Sequence, residues 1–471
     1  MSIAFPELAA IRLGYGLSPV LPPPATPAEV LAEAEAVAAQ PPVYTTAEAQ
    51  QAQVEYNRLD KARRRDRKDG AAADAGEGRV ERTPAQEQFI AYRQELSGQR
   101  NAYLSTRVIQ CATARAGFGD RLIQFWADHF TTRAGGAGLH PMSVAFVEEA
   151  IRPHIFGPFE RLLAAAETHP AMVIFLDQNR SVGPTSRAAR SARRRQLGLN
   201  ENLAREVLEL HTLGVSSGYT QADVRGLAAL LTGLGYAPEE EVRFFPRRAE
   251  PGADVVLGRS YGGSGPGSMD DILAVFGDLA RHPDTATHIA GKLAVHFVSD
   301  EPEEALVADL AAAWRESGGD LPRVYAVLVE HPALARQFRQ KVRQPFDFLA
   351  ASLRALGLQA DMAADLPPRR LRRALLDPIR AMGQPWFGAS GPDGWPEAGE
   401  AWIRPQLLAE RIDWAMNVPI RLVDPLPDPR GFLETALGGT AGEALVWAVP
   451  KAESIREGVG VVLASSDFNR R

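Results

Sequence analysis

The chain has 471 residues, of which 45% are hydrophobic and 23% are charged, and its formal net charge is −6. This length allows two or three domains, and the composition is that of an ordinary soluble globular protein. The negative charge argues against a general nucleic-acid binder. The single cysteine, Cys111, excludes an intramolecular disulfide and a multi-cysteine metal site.

Two absences in the sequence bear on location. No apolar run reaches the roughly 18 residues that a transmembrane helix needs, so we expect no membrane span. Residues 1–16 contain neither a basic leader nor a long apolar segment, and we therefore expect no signal peptide. The expected location is the cytoplasm, which also suits a single cysteine, and export together with a partner is the alternative.

The pattern along the chain is mainly helical. Thr26 followed by Pro27 is typical of a helix start, and Thr83-Pro84 repeats the signal with a glutamine at the third position. Between these helices, residues 61–82 combine a basic run with a glycine-rich stretch and predict an exposed insertion. Residues 179–195 are basic, poor in apolar side chains, and predict a second insertion.

One segment departs from the helical pattern. Val242, Phe244, Val255 and Leu257 alternate with polar residues on both sides of a Pro251-Gly252 step, which predicts a small β-hairpin within 241–260. Helical patterns resume from residue 269, and residues 361–380 are both helical and basic. The sequence therefore predicts a mainly α, multi-helix array forming one domain over residues 1–471.

Three of the four His-Pro steps in the chain share one setting. His169, His282 and His331 each precede a proline at a position where one predicted helix ends and the next begins. Histidine near a helix end and proline in the first helical turn are common structural features. We interpret these three steps as boundaries between consecutive helices and not as a metal site.

The densest polar block lies in the helix predicted for residues 200–213. A step of about 100° per residue places five polar side chains on one arc: Glu201, Asn202, Arg205, Glu206 and Glu209. One interpretation is a solvated face laced with ion pairs. The other is the wall of a cleft that performs acid–base chemistry or binds a hard cation. His211 falls on the apolar side, either as a buried histidine or as a ligand.

Two further clusters contain residues suited to a site. Asp128 and His129 lie at a helix end beside a glycine-rich loop, a common location for catalytic groups. Trp395 and Trp402 lie in the loop 383–402, where they either stack on a flat ligand or fill the core. The G-x-S-x-G pattern occurs at 214–218 and 258–262 but in neither place between a buried strand and a helix, so we predict no nucleophile elbow, and the chain has no phosphate-binding loop, dinucleotide fingerprint or recognised zinc motif. The metal and the cofactor therefore stay unassigned, with a divalent cation as one option.

Several motifs, in order, resemble a bacterial family known as "domain of unknown function 1800". They are FWADHF (125–130), FERLLAAAETHPAMVIFLD (159–177), NENLAREVLELHTLGVSSGYTQADV (200–224), TGLGY (232–236), KVRQPFDFLAASLRALGL (341–358) and the tryptophan-rich loop (382–403). The resemblance covers most of the chain and implies a helical fold, but it carries no established activity. Members often accompany a sulfatase-like family, "domain of unknown function 1501", which implies a partner of that class.

Two functional hypotheses follow. In the first, the protein is a hydrolase-like enzyme, with catalytic residues Asp128, His129, Arg205, Glu206 and His211 and substrate-binding residues Asn200, Asn202, Glu209, Trp395 and Trp402. Glu206 would be the base or a cation ligand, and Arg205 would hold an anionic group. In the second, the protein is a non-catalytic scaffold that binds the sulfatase-like partner. The same polar face would then be a packing network.

Overall fold

The computed structural model describes residues 3–71, 82–133, 135–191, 198–239 and 243–471. The fold is mainly α, as the sequence predicts. The helices before the β element are α1 (Phe5–Arg12), α2 (Pro27–Ala38), α3 (Thr46–Ala71), α4 (Pro84–Thr113), α5 (Phe118–His129), α6 (His140–Ala145), α7 (Phe159–Thr168), α8 (Pro170–Phe175), α9 (Arg187–Ser191), α10 (Asn202–Glu206) and α11 (Gln221–Leu230). None of the described helices is long and apolar enough to cross a membrane.

Helices α12 to α26 follow the β element. They are α12 (Met269–Ala280), α13 (Pro283–Phe297), α14 (Glu304–Ser317), α15 (Leu321–Glu330), α16 (Ala333–Arg336), α17 (Pro345–Ala355), α18 (Ala360–Ala364), α19 (Pro368–Leu371), α20 (Asp377–Ala381), α21 (Pro405–Asn417), α22 (Pro419–Leu422), α23 (Pro429–Leu437), α24 (Glu443–Ala448), α25 (Ile455–Ala464) and α26 (Ser466–Asn469). Single π-helical turns interrupt the pattern at Phe146–Ile151, Val207–His211 and Arg372–Leu376.

Side-chain caps start several helices where the sequence predicts them. The Thr26 hydroxyl accepts the N–H of Glu29, and the Thr83 hydroxyl accepts that of Gln86. Helix α11 begins with a reciprocal capping box, in which the Thr220 hydroxyl accepts the N–H of Asp223 and the Asp223 carboxylate accepts the N–H of Thr220. Such caps satisfy N–H groups that have no partner inside the helix.

The β-hairpin exists, but its strands and its turn lie further along the chain than predicted. Strands β1 (Pro251–Val256) and β2 (Arg259–Pro266) pair antiparallel, with Val256 opposite Arg259. The turn consists of Leu257 and Gly258, both at positive φ, and not of Pro251-Gly252. The second strand is therefore glycine-rich and extends beyond the predicted range 241–260. Val242, which we assigned to the first strand, lies outside the described residues.

The three His-Pro steps have a common geometry. The imidazole Nδ1 of His169, His282 and His331 accepts the backbone N–H two residues later, at 3.1 to 3.2 Å. Each histidine therefore caps the helical segment that its proline opens. The physical reason is that an unprotonated ring nitrogen acts as an N-cap acceptor for the following helical segment.

The predicted insertions lie partly outside the described residues, since 72–81 and 192–197 are not covered. The part of the first that is described continues helix α3. In the second, Ser181 and Ser186 are buried, and the N–H of Gly183 donates to the carbonyl of Arg248. This portion therefore packs on the segment that precedes the hairpin, while the following helix α9 has no buried residue.

Two apolar cores meet along α4, α5 and the loop 383–402. The larger core gathers residues between Leu8 and Leu334, around Trp126 and Trp314. The smaller core gathers the end of α4, helix α17 and residues up to Phe468. Phe125, Trp126 and Phe130, at the end of α5, belong to the first core, and the tryptophan-rich loop packs Phe387 on the first core and Trp386 on the second. The candidate site lies where these two meet.

Candidate functional site

Asp128 lies at the end of α5, beneath the tryptophan-rich loop. The backbone N–H of Trp395 donates to its carboxylate, at 3.0 and 3.2 Å from the two oxygens. Gly394 packs so closely that a Cβ there would lie 2.7 Å from the carbonyl oxygen of Asp128, and its φ is +81°. Only glycine fits both the backbone conformation and the contact. The loop is therefore held directly on the Asp128 carboxyl.

The Asp128 carboxyl borders a small cavity. The cavity has a volume of about 40 Å³ and is walled by Trp386, Phe387 and Trp395, with the polar side chains of Gln124, Thr131, Thr132 and Gln384 among its lining. This volume holds about two or three water molecules. Burial, reinforced by the charge of Glu397, raises the pKa of Asp128 to about 8. A half-buried carboxylic acid that is protonated at neutral pH thus faces an aromatic-walled space.

Two imidazoles terminate the helical segment 202–211. His129 Nε2 lies 3.2 Å from the carbonyl oxygen of His211, and His288 Nε2 lies 3.0 Å from that of Leu210. In the tautomer that donates from Nε2, both rings satisfy carbonyls that the helix end leaves free. The Nδ1 of His129 is then a buried acceptor with no partner among the described residues. Burial lowers the pKa of both His129 and His288, which favours these neutral rings.

The π-helical turn Val207–His211 brings Glu206 and His211 into one neighbourhood. His211 is fully buried, and its Nδ1 lies 2.6 Å from Oε1 of Glu167, which is also fully buried. Within the described part of the chain, neither ring nitrogen of His211 and neither carboxylate oxygen of Glu167 makes a hydrogen bond, so the two groups are in close contact without hydrogen-bond geometry. Burial raises the pKa of the half-buried Glu206 carboxyl. Single π-helical turns of this kind are frequent at functional sites.

Helix α13 contributes a polar stripe to the same region. His288, Lys292 and His296 follow at intervals of four residues and therefore share one face. Burial lowers the pKa of Lys292, although Asp128, Glu397 and Asp393 oppose the shift. Asp393 is exposed, and its charge also acts on Asp128 and Glu206. Asp393 is thus within electrostatic range of the carboxyl groups of Asp128 and Glu206 and of the ammonium group of Lys292.

Buried charges fix the loop 383–402 over this cluster. Oε1 of Glu397 lies 2.6 Å from Nδ1 of His296, and its Oε2 lies 2.9 Å from Nζ of the fully buried Lys341. Lys341 also contacts Asp300, which accepts the N–H of Gly399. Burial disfavours a charge on Glu397, but His296 and Lys341 hold its pKa well below the ordinary value. The loop is consequently a fixed wall of the site.

The two tryptophans of this loop have different surroundings. Their ring centroids lie 6.0 Å apart. Trp402 is buried, and its Nε1–H donates to the carbonyl of Pro396. Trp395 is half-buried and lines the cavity at Asp128. Trp402 therefore supports the loop from within, while Trp395 faces the space that a ligand would enter.

The polar arc of the 200–211 helix faces outward. Arg205 lies 2.9 Å from Glu209 and 3.6 Å from Glu201, and it donates to Gln221 at 3.0 Å. Its side chain is 39% exposed. The Asn200 amide donates to the carbonyls of Leu176 and Asp177, and its oxygen accepts the N–H of Asn202, which is exposed. These residues form a hydrogen-bonded network at the surface. Glu206 is the member of the polar arc that lies near His211 and Glu167.

Sequence reasoning missed the groups that come from distant segments: Glu167, His288, Lys292, His296, Lys341 and Glu397. Four of them left a signal. The four-residue spacing of His288, Lys292 and His296 marks one helix face, and Glu167 follows Leu163 by four residues on the buried stripe of α7. A charged residue on an apolar stripe indicates a buried partner. The described residues contain no group of three His, Cys, Asp or Glu side chains arranged to hold a metal ion.

Comparison with known proteins places the chain in a family. No curated protein matches it, and no solved structure matches it. The family model described as "Protein of unknown function (DUF1800)" matches residues 9–470, nearly the whole length. The matched region includes every segment that builds the candidate site. The chain is therefore a member of the DUF1800 family of proteins of unknown function.

Proposed function

We propose that this protein is a hydrolase-type enzyme in which Asp128 acts as a general acid. The observation that carries the proposal is the half-buried Asp128 carboxyl, which faces an aromatic-walled cavity and has a pKa of about 8. A general acid works best when its pKa lies near the operating pH. A carboxyl with a strongly shifted pKa beside a cavity is a functional-site candidate on physical grounds.

The groups behind Asp128 supply the complementary base. Glu167 lies against Nδ1 of His211, and a carboxylate in that position orients an imidazole so that Nε2 can take a proton. Glu206 adds a half-buried carboxyl on the same side. We assign the base to the Glu206–His211 side, the positive charge to Lys292, and the flat wall to Trp395. A compact substrate with a polar leaving group fits these roles.

Arg205 takes a different role from the one that its sequence position indicated. Its guanidinium is engaged by Glu201, Glu209 and Gln221 at the surface. An arginine already paired in this way has fewer donors left for an anionic substrate group. The proposal therefore rests on Asp128, Glu206, His211 and Lys292, with Asn200, Asn202, Arg205 and Glu209 holding the helix.

The test is a hydrolysis assay on the purified full chain. Chromogenic carboxylic esters, phosphate esters, sulfate esters and glycosides would be tested separately, with added Mg²⁺, Mn²⁺ or Zn²⁺ and with a chelator. We expect turnover in one class, and we expect Asp128→Asn and Glu206→Gln each to lower it by about 100-fold or more. Asp270→Asn and Glu330→Gln, which alter exposed carboxylates on α12 and α15, are the matched controls.

Two outcomes would contradict the proposal. Turnover that survives Asp128→Asn would remove this carboxyl from the chemistry. Complete inactivity of the wild-type protein in all four substrate classes would remove the hydrolase assignment. The metal arms of the assay separately show whether a divalent cation takes part.

A second proposal, an accessory role, has one observation in its favour. Helix α24 has no buried residue, and on it Val446 is 49% and Trp447 is 68% exposed. Exposed apolar side chains of this size are characteristic of protein–protein contacts. The sulfatase-like identity of such a partner rests on the family resemblance alone. Loss of co-purification with that companion in Trp447→Ala would support the role, and no association at about micromolar concentration would count against it.

A further inference from the structure

A long groove runs along helix α4 on the side of the basic 368–380 segment. Its volume is about 880 Å³. One wall is a stripe of α4 that includes Arg93, Ser97 and Asn101, and the other wall includes Arg369 and Arg372. The spacing of three or four residues on α4 places its contributors on a single face. The groove is large enough for a ligand the size of a short oligomer.

Positive charge dominates this groove. Three arginines line it, and an adjoining cavity that shares Asn101 and Arg372 adds Arg100 and Arg380. Among the side chains that line these two spaces there is one carboxylate, Asp377, and it lies 3.0 Å from Arg372. The described lining therefore carries five arginines against one carboxylate, in a chain whose net charge is −6.

Arg100 shows that the charge is not compensated locally. Its guanidinium donates to Nε2 of His140 at 3.1 Å and to the Asn101 side chain at 3.3 Å, both neutral acceptors. Its Nε is buried and has no partner in the described part of the chain. Burial and the charge of Arg380 lower the pKa of Arg100. A half-buried guanidinium with unused donors is suited to an external anion.

We propose that this groove binds a ligand that carries at least two phosphate or sulfate groups. Guanidinium donors match tetrahedral oxyanions through paired hydrogen bonds. Arg93 and Arg100 are seven residues apart, which is roughly 10 Å along a helix, so each can hold a separate oxyanion of one ligand. Ser97 lies between them and Asn101 directly follows Arg100, and both side chains can hydrogen-bond to the part of the ligand that joins the charged groups.

The groove lies close to the site at Asp128. The smaller basic cavity and the cavity that borders Asp128 have Ile379 and Trp386 as a common wall. A ligand held by the arginines would therefore lie on the other side of this wall from that carboxyl. The binding proposal does not depend on the acid–base roles assigned to Asp128 and Glu206, because it is tested by affinity alone.

Titration calorimetry on the full chain tests the proposal at about 0.15 M ionic strength, where non-specific charge effects are partly screened. One arm uses tripolyphosphate and the other a sulfated heparin-derived disaccharide, so that the two sources of oxyanion are distinguished. We expect at least one probe to bind, and Arg93→Gln combined with Arg369→Gln to weaken it by about tenfold or more. Arg315→Gln combined with Arg430→Gln removes the same charge from exposed positions elsewhere and serves as the control.

Each outcome of the calorimetry either assigns the ligand class or overturns the proposal. Binding of one probe only assigns the ligand to the phosphate or the sulfate class. Absence of binding by both probes overturns the proposal. An equal loss of affinity in the control pair also overturns it, since the attraction would then be a general effect of net charge. Thermal unfolding of both pairs of variants verifies that each is folded.

Discussion

Nδ1 of His211 lies 2.6 Å from Oε1 of Glu167, and neither side chain has exposed surface. The contact joins α7 to the π-helical turn Val207–His211, two segments separated by more than thirty residues of sequence. A buried pair of this kind stabilises poorly compared with apolar packing, yet removing one partner leaves the other buried without compensation. The pair can therefore be tested for a structural and for a functional role in the same experiment.

We expect Glu167→Leu and His211→Leu each to lower the free energy of unfolding by about 3 kcal/mol or more, because each leaves one unpaired buried group. The double variant should lose less free energy of unfolding than the sum of the two single losses, because no buried polar group of the pair is then left without its partner. Urea unfolding followed by circular dichroism measures all three. Additive losses would contradict a direct interaction. A folded double variant without turnover would separate the functional role from the structural one.

The Asp128 carboxyl should make stability depend on pH. Its folded-state pKa of about 8 exceeds the usual unfolded value, so the native state retains a proton that the unfolded chain releases. Stability therefore falls as pH rises from about 4 to about 8, and the loss is complete above the folded pKa. Asp128→Asn does not titrate, and we expect it to gain about 1 to 3 kcal/mol over the wild type between pH 5 and pH 9, after discounting for solvent access.

Denaturant unfolding at closely spaced pH values measures this gain. The control is Asp270→Asn, whose exposed carboxylate should give a difference from wild type that is constant over the same range. A constant difference for Asp128→Asn as well would contradict the raised pKa and, with it, the assignment of Asp128 as an acid at neutral pH.

Gly394→Ala should disturb the loop at its contact with Asp128. The new Cβ would lie 2.7 Å from the Asp128 carbonyl oxygen, at a φ of +81°. We expect a loss of about 1 to 3 kcal/mol in the free energy of unfolding. Gly291→Ala, in helix α13 with no heavy atom within 4 Å of the added Cβ, should instead stabilise the protein by up to about 1 kcal/mol. Equal effects in the two variants would show that the close approach is not significant.

Arg205→Ala should have a small effect on stability. Its ion pairs with Glu201 and Glu209 lie at the surface, where such pairs contribute about 0 to 1 kcal/mol. We also expect turnover to stay within about threefold of the wild type, because the proposed chemistry does not use this guanidinium. A large fall in turnover with unchanged stability would contradict this expectation and would indicate that Arg205 contacts the substrate.

The sequence predicted the helical architecture well where local signals decide it. Threonine caps mark the starts of α2, α4 and α11, and proline at the first helical position marks those of α2 and α4. The predicted position of the hairpin was wrong because its turn uses Leu257 at positive φ, which is unusual for a leucine, and its second strand is glycine-rich. Pro251-Gly252 resembled a turn more closely than the actual one did.

The candidate site was only partly predictable. Asp128 and Glu206 stood out because each lies in a polar motif within its own segment. Glu167 and Lys341 are single charged residues in apolar surroundings, and their partners come from segments far away in the chain. Local periodicity indicates which face of a helix is buried, but it does not identify the partner of a buried charge.

Helix α13 contacts both the tryptophan-rich loop and the surroundings of Asp128. Its residue His296 holds Glu397 of the tryptophan-rich loop, and one turn earlier Lys292 lies within the electrostatic reach of Asp128. A charged ligand bound beside the loop, near Asp393, therefore also changes the proton affinity of Lys292. By thermodynamic reciprocity, protonation of Lys292 changes the affinity for that ligand by the same factor. Proton uptake measured on ligand binding would report this coupling directly.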